Sequence, residues 1–174
     1  SLQIGDRTTV REFCTLHRGT KDKKITKIGS DCLLMSYSHV AHDVVVGDNV
    51  IVSISVNIAG HAEIDDFAII GGCTPVHQFC KVGKHAFIGG GRLILQDVPP
   101  YILATGEPLR YAGINSVGLR RRKFSAKSRA QIKKAYSLIY QSDLNTSQAV
   151  MKIKEDFDDS DEINVILEFI ERSD

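Results

Sequence analysis

Residues 28–94 read, in groups of six, IGSDCL LMSYSH VAHDVV VGDNVI VSISVN IAGHAE IDDFAI IGGCTP VHQFCK VGKHAF IGGGRL I. Every group opens on an aliphatic residue, and its fifth position is usually small. The same phase includes Ile4, Val10 and Leu16, and only Asp22 breaks it. A period of six fits neither an α-helix at about 3.6 residues nor a half-buried strand at about 2, but it fits one short strand plus one turn. Such units bury their apolar side chains only by stacking, so the repeat predicts a parallel β-helix.

The repeat stops at residues 97–100, where Pro99 and Pro100 remove backbone donors and fix φ. We therefore predict a β-helix over residues 1–100, with a polar loop projecting from it at about 20–27. Residues 101–174 are predicted to form a linker and a small helical domain. Capping residues and the spacing of apolar side chains predict its helices at about 126–141, 146–157 and 161–171.

Composition limits the classes of function. The 174 residues are 43% hydrophobic and 25% charged, and a net charge of +1 gives no general attraction to nucleic acid or to a membrane. No apolar run approaches the roughly 18 residues of a membrane helix, and the start lacks the pattern of a signal peptide. We expect a cytoplasmic protein with no nucleic-acid partner and no membrane insertion. The cysteines show no CxxC pairing, so free thiols are expected, with Cys14, Cys32 and Cys80 as core residues.

Four of the six histidines fall at related places in successive coils. If one coil holds 18 residues, positions 18 apart lie above one another at about the 4.8 Å spacing of strands. The residues that this spacing brings to one corner are His39, His42, Gly60, His61, His77 and Gln78. Neutral imidazoles suit proton transfer near pH 7, so His42 is predicted to be a general base oriented by Asp43. By the same count, His17 and His85 lie away from this corner.

Two further features have both a structural and a chemical interpretation. Gly60 has no side chain, so its backbone N–H could approach a substrate as an oxyanion donor, or the glycine merely eases the corner. The basic run at residues 120–123 could bind phosphate through forked guanidinium groups, or it is a solvated segment.

Several segments together resemble one family of hexapeptide-repeat acyltransferases. They are His39-Val40-Ala41-His42-Asp43, Ala59-Gly60-His61, Asp65-Asp66-Phe67-Ala68-Ile69-Ile70-Gly71-Gly72, Val76-His77-Gln78-Phe79, Gln96-Asp97-Val98-Pro99-Pro100-Tyr101 and Gly118-Leu119-Arg120-Arg121-Arg122. The chain is similar here to the UDP-N-acetylglucosamine 3-O-acyltransferases that begin lipid A synthesis. The resemblance implies a left-handed coil with three faces, followed by helices, and a homotrimer.

The resemblance also implies a reaction and its residues. His42 would deprotonate the sugar 3-hydroxyl with Asp43 as its partner, and the Gly60 N–H would stabilise the oxyanion. The acyl donor would be a 3-hydroxyacyl thioester on the phosphopantetheine of acyl carrier protein, with no bound cofactor or metal. The residues that would bind the UDP-sugar are His39, His61, His77, Gln78, Asn115, Arg121 and Arg122. Gly90 matches the position that limits acyl length, where a glycine leaves room for a longer chain.

The chain departs from this family at two places, and three other functions stay open. It begins in mid-repeat at Ser1, so we expect the contacts of the family's N-terminal coils to be missing, and Val117 stands where relatives often carry an acid. The first alternative is the N-acyltransferase of the same pathway. The second is a zinc enzyme of the β-helix carbonic anhydrase type, which would use the clustered histidines. The third is a non-catalytic trimeric scaffold.

Overall fold

A computed structural model describes residues 1–173 as a parallel β-helix followed by a group of α-helices, which confirms the predicted fold class. The strands are β1 (Leu2–Ile4), β2 (Thr9–Val10), β3 (Thr15–Leu16), β4 (Thr26–Ile28), β5 (Leu33–Leu34), β6 (His39–Val40), β7 (Val45–Val46), β8 (Ile51–Val52), β9 (Asn57–Ile58), β10 (Glu63–Ile64), β11 (Ile69–Ile70), β12 (Pro75–Val76), β13 (Lys81–Val82), β14 (Phe87–Ile88), β15 (Ile102–Thr105) and β16 (Arg110–Ile114). The helices are α1 (Ser116–Arg121), α2 (Ala126–Tyr140), α3 (Thr146–Asp156) and α4 (Asp161–Arg172).

The strands form three sheets, one for each face of the coil. Ile64 aligns with Val46 on one side and with Val82 on the other, so one coil spans 18 residues as predicted. The aliphatic column that the repeat defines is buried inside the coil from Ile28 to Ile94, whereas Ile4 and Val10 in the first coil are exposed. Cys32 and Cys80 are also buried and all four cysteines are free thiols, whereas Cys73 is exposed. Stacked aliphatic side chains are therefore the core of the coil, as in other solenoids.

The first coil is longer than the others because it contains the predicted loop. Ile4 aligns with Ile28, which is 24 residues away, so six extra residues are inserted. The loop ends earlier than residue 27, since β4 already begins at Thr26. Its two ends are close together, because the N–H groups of Gly19 and Thr26 both donate to the Ser1 carbonyl, at 2.8 and 3.1 Å. The insertion therefore leaves the coil through a narrow neck.

The segment predicted as a linker contains ordered structure that the sequence did not indicate. Strand β15 pairs in parallel with β14, so the ladder continues past Pro100 to Thr105. Strand β16 then turns back and pairs antiparallel with β15 as the outermost strand of its sheet. Helix α1 follows, and α2 to α4 lie within about one residue of the predicted helices. The division into domains at residue 100 stays a prediction.

The helices pack onto the end of the coil through a few defined contacts. Tyr136 of α2 is fully buried, and its hydroxyl donates to the Pro100 carbonyl at 2.6 Å. Arg172 at the end of α4 forms an ion pair with Asp65 of the coil. Within residues 1–173, no helix combines the length and the apolar character needed to cross a bilayer.

An aromatic stack runs along one corner of the coil. The ring of His85 lies between Phe67 and Tyr101, with centroids 4.8 and 5.5 Å away, and Phe124 meets it edge-on at 5.0 Å. The Nδ1 atom of His85 is buried without a hydrogen-bond partner among the described residues. The guanidinium of Arg122 lies 5.3 Å from the centroid of the Phe67 ring. This environment favours an uncharged imidazole.

We expect His85 to make the protein less stable in mild acid. Burial, and to a lesser extent the charges of Arg122 and Lys84, together lower its pKa to about 4. The pKa of His85 in the folded protein lies below its unfolded value of about 6.5. The contribution of His85 to the free energy of unfolding is therefore complete above pH 6.5 and is lost as the pH falls towards 4. The variant His85→Phe keeps a stacking ring that cannot titrate. Its melting temperature should fall less between pH 7.5 and pH 5 than that of the wild type; an equal fall in both proteins would contradict this role.

Candidate active site

A histidine and an aspartate occupy one corner of the coil. His42 follows β6, and Asp43 turns the corner in the left-handed region, at φ 60°. The distance between His42 Nδ1 and Asp43 Oδ2 is 2.9 Å. The Asp43 side chain has no exposed area, whereas that of His42 is 43% exposed. His42 is therefore the member of the pair that a ligand can reach.

Hydrogen bonds keep the Asp43 carboxyl ionised although it is buried. Burial raises its pKa, but the bonds from Thr20 and His42 outweigh that effect and hold the pKa at about 2. At neutral pH, an ionised Asp43 accepts the proton of His42 Nδ1, which assigns the tautomer of the ring. The other ring nitrogen, Nε2, then carries a free lone pair. This is the arrangement that a general base requires.

Gly60 packs against the ring of His42. A Cβ atom at Gly60 would lie 2.8 Å from Cε1 and 3.0 Å from Nε2 of that ring, so only glycine fits without moving the histidine. The Gly60 carbonyl accepts the N–H of Phe79 at 3.2 Å. The Gly60 N–H has no hydrogen-bond partner in the chain from residue 1 to residue 173. An unpaired donor beside a candidate base can bind a developing oxyanion.

His61 joins the pair from the next coil. Its Nε2 lies 3.9 Å from Asp43 Oδ2, and its ring meets that of His42 edge-on, with centroids 5.3 Å apart. The other face of the ring stacks on Phe79 at 4.8 Å, and Nδ1 lies 3.6 Å from the Asp22 carboxylate. The predicted convergence therefore holds closely for His42, Asp43, Gly60 and His61.

The remaining predicted residues of this corner lie further out. His39 Nδ1 is 2.7 Å from the Thr15 hydroxyl, and its ring meets that of His17 at 4.7 Å. The prediction that His17 lies away from the cluster was wrong, because the long first coil shifts the register by six residues. His77 and Gln78 are exposed, and His77 Nδ1 lies 3.1 Å from the Gln78 carbonyl.

The three candidate residues from the helical region have different surroundings. Asn115 is buried and caps α1, where its side chain accepts the N–H of Gly118 and donates to the His85 carbonyl. Arg122 is half-buried, and it donates to the Phe67 carbonyl at 3.1 Å. Arg121 is exposed in the last turn of α1, where a cation also matches the helix dipole.

Comparison with known proteins identifies the family. Residues 97–174 match the model for domain 2 of UDP N-acetylglucosamine O-acyltransferase, and residues 25–53 match that for the bacterial transferase hexapeptide repeat. A curated acyl-[acyl-carrier-protein]–UDP-N-acetylglucosamine O-acyltransferase from Thiobacillus denitrificans is 42% identical over 173 residues, which cover 99% of this chain and 67% of the relative. The chain belongs to the UDP-N-acetylglucosamine O-acyltransferase family.

Solved structures of the same acyltransferases share its fold. LpxA from Acinetobacter baumannii matches with a TM-score of 0.95 and 43% identity, over 99% of this chain and 68% of that one. The UDP-N-acetylglucosamine acyltransferase from Francisella novicida matches with a TM-score of 0.95 and 37% identity, over 99% of this chain and 63% of that one. The present chain therefore spans about two thirds of the length of these acyltransferases.

One group of donors in this acyltransferase could also hold a cation. His42, Asp43 and His61 each offer a ligand atom, and these atoms lie within 4.8 Å of one another. Within residues 1–173, these three residues form the candidate metal-binding group. The group contains two histidines, whereas β-helix carbonic anhydrases hold zinc with three. The short contact between His42 and Asp43 is that of a hydrogen bond, which supports a proton between them.

Sequence reasoning missed the residues that hold Asp43. Thr20 donates to the carboxylate from its N–H at 3.0 Å and from its hydroxyl at 2.5 Å. Thr26 accepts the Asp43 N–H at 2.8 Å through its hydroxyl. Threonines at both ends of the only interruption in the repeat were the available signal, but nothing in the spacing linked them to Asp43.

Proposed function

We propose that this chain transfers a 3-hydroxyacyl group from acyl carrier protein to the 3-hydroxyl of UDP-N-acetylglucosamine, the first step of lipid A biosynthesis. The observation that carries this proposal is the buried Asp43 bonded to an accessible His42, with the unpaired N–H of Gly60 beside the ring. A relative that is 42% identical is named an acyl-[acyl-carrier-protein]–UDP-N-acetylglucosamine O-acyltransferase, which supports this donor and this acceptor.

In the proposed reaction His42 acts first as base and then as acid. Its Nε2 takes the proton of the sugar 3-hydroxyl while that oxygen attacks the thioester carbonyl, and the C–O bond forms. The Gly60 N–H stabilises the negative oxygen of the tetrahedral intermediate. Collapse breaks the C–S bond, and the phosphopantetheine thiolate receives the proton from His42. Asp43 stays ionised throughout and stabilises the transient imidazolium.

We propose that the substrate-binding residues surround this pair. His39, His61 and His77 with Gln78 would contact the sugar and the pyrophosphate, and Arg121 with Arg122 would pair with phosphate or carrier protein. Asn115 would line the nucleotide site without a hydrogen bond from its side chain to the nucleotide, because both polar atoms of that side chain already have partners.

We also propose a homotrimer in the cytoplasm that needs no metal and no bound cofactor. Exposed apolar side chains support an interface between copies, since Phe13 is 70% exposed and stacks on Tyr37, which is 57% exposed. Ile54 and Leu95 are exposed apolar side chains elsewhere on the coil. Surfaces of this kind on a folded chain usually face a partner.

An acyl-transfer assay tests the function directly. Purified protein is incubated with a labelled 3-hydroxyacyl carrier protein and either UDP-N-acetylglucosamine or its 3-amino analogue, and its metal content is measured after purification without chelators. We expect an ester of the 3-hydroxyl, formed equally well after chelator treatment. Faster transfer to the amine would establish the N-acyltransferase instead. A stoichiometric metal without acyl transfer would establish the metal enzyme. If the protein shows neither acyl transfer nor a bound metal, the non-catalytic scaffold is the function that is left.

The acyl-length role of Gly90 makes a separate prediction. Gly90 is exposed, and a Cβ atom there would lie 3.0 Å from the Gly72 carbonyl oxygen, so the adjacent backbone must shift slightly to accept a side chain. The variant Gly90→Met should shorten the preferred acyl chain. We expect the ratio of kcat/KM for short and long donors to change by about 10-fold or more, since a few methylenes in an apolar site discriminate that strongly. An unchanged ratio would remove Gly90 from the acyl site.

A further inference from the structure

The inserted loop holds the candidate general base through Asp43. Thr20 lies at one end of the neck and Thr26 at the other. The Thr20 N–H and hydroxyl donate to the two carboxylate oxygens of Asp43, at 3.0 and 2.5 Å. Oδ2, which accepts the Thr20 hydroxyl, is the same oxygen that meets His42 Nδ1. The loop therefore fixes the atom that determines the tautomer of His42.

The backbone of Asp43 is held as firmly as its carboxylate. Its N–H donates to the hydroxyl of Thr26, which is fully buried, and its φ of 60° lies in the left-handed region. The carboxylate is thus bonded on three sides, by Thr20 twice and by His42 once. A carboxylate with these partners cannot rotate away from the imidazole without leaving donors unpaired.

One ion pair and one contact with a histidine attach the outer part of the loop to later coils. The Nζ atom of Lys23 lies 3.2 Å from a Glu63 carboxylate oxygen, and the Asp22 carboxylate lies 3.6 Å from His61 Nδ1. Glu63 also pairs with Arg172 at 3.7 Å, so the loop and α4 share one partner on the coil. The six-residue insertion is therefore a tethered structure with contacts in the candidate site.

We propose that Thr20 is a positioning residue of the acyl-transfer reaction, and that its hydroxyl fixes the Asp43 carboxylate so that His42 keeps Nε2 free to accept a proton. The inference rests on the proposed function, because it needs His42 as the base. Thr20 touches no reacting atom in this scheme, and it acts only through Asp43. Its removal should therefore lower kcat and leave the binding of the UDP-sugar unchanged.

The test compares three variants in the acyl-transfer assay. Thr20→Val removes the hydroxyl at nearly constant shape and retains the backbone N–H. We expect kcat to fall by about 10-fold with an unchanged KM for UDP-N-acetylglucosamine, since one bond to a charged group is lost. Thr20→Ser should restore kcat to within about 2-fold of the wild type. The matched control is Thr8→Val, because the Thr8 hydroxyl also bonds within the coil but only to the backbone of Gly29 and Cys32.

A double-mutant cycle separates positioning from general weakening of the fold. In an Asp43→Asn background, Thr20→Val should cost no further kcat, because the group through which Thr20 acts has already changed. Thr20→Ala should reproduce the kcat loss of Thr20→Val, and melting temperatures should show both variants folded. The inference is overturned if Thr20→Val has the kcat of the wild type. It is also overturned if Thr20→Val lowers kcat by the same factor in the wild-type and Asp43→Asn backgrounds. An active His42→Ala variant would instead overturn the proposed function.

Discussion

Replacing His42 by alanine is expected to lower kcat for acyl transfer by at least about 100-fold. The ring is the accessible member of the pair with the buried Asp43, and the alanine variant has no group at this place that can take the proton of the sugar hydroxyl. The fold should survive, since the 43% exposed ring contributes little to the core. Steady-state assays with saturating substrates measure the effect.

Two controls accompany His42→Ala. The melting temperature should stay close to that of the wild type, which excludes unfolding as the cause of lost activity. His77→Ala alters an exposed imidazole in the same region, and we expect it to raise KM for the UDP-sugar more than it lowers kcat. If His42→Ala kept wild-type kcat, the assignment of the base would be wrong.

Gly60→Ala is expected to reduce kcat by about 100-fold although it adds only one methyl group. The new Cβ would lie within 3.0 Å of Cε1 and Nε2 of His42, so the ring must move away from its position beside Asp43. A misplacement of about 1 Å in a catalytic group can lower the rate by about 100-fold. The same shift would carry the base away from the N–H that is proposed to bind the oxyanion.

The control for Gly60→Ala is a glycine at a corner without neighbours. Gly91 has φ +66°, and a Cβ atom there meets nothing within 4 Å, so Gly91→Asn adds a side chain that tolerates this backbone conformation. We expect its kcat to stay within about 2-fold of the wild type. Equal kcat of Gly60→Ala and the wild type would show that catalysis does not depend on the observed position of the His42 ring.

The coil could be predicted well from the sequence because the environment of its residues repeats at a fixed spacing. Each aliphatic position has the same environment as the one 18 residues away, so a single spacing determines both the core and the corner that joins His42, Gly60 and His61. The helices α2 to α4 were predictable for a similar reason. Ser125, Asn145 and Ser160 each accept a backbone N–H of the first turn, which is a local effect.

The same periodicity failed wherever the repeat was interrupted. Thr20 reaches Asp43, 23 residues away, because the first coil has 24 residues instead of 18. His17 meets His39 for the same reason. The hairpin of β15 and β16 has no repeat to reveal it, since its strands are defined by pairing with β14 and with each other. Contacts that depend on an insertion or on a chain reversal have no signature in spacing.

The antiparallel strand β16 has a consequence for self-association. A parallel ladder ends in a row of unpaired backbone groups that another chain can extend, and open edges of this kind nucleate fibres. Here the last parallel strand, β15, is already paired by β16, whose direction is reversed. Helix α2 packs against the same hairpin. In this one sheet an incoming copy therefore finds no parallel template, and the hairpin terminates growth that the repeat alone would permit indefinitely.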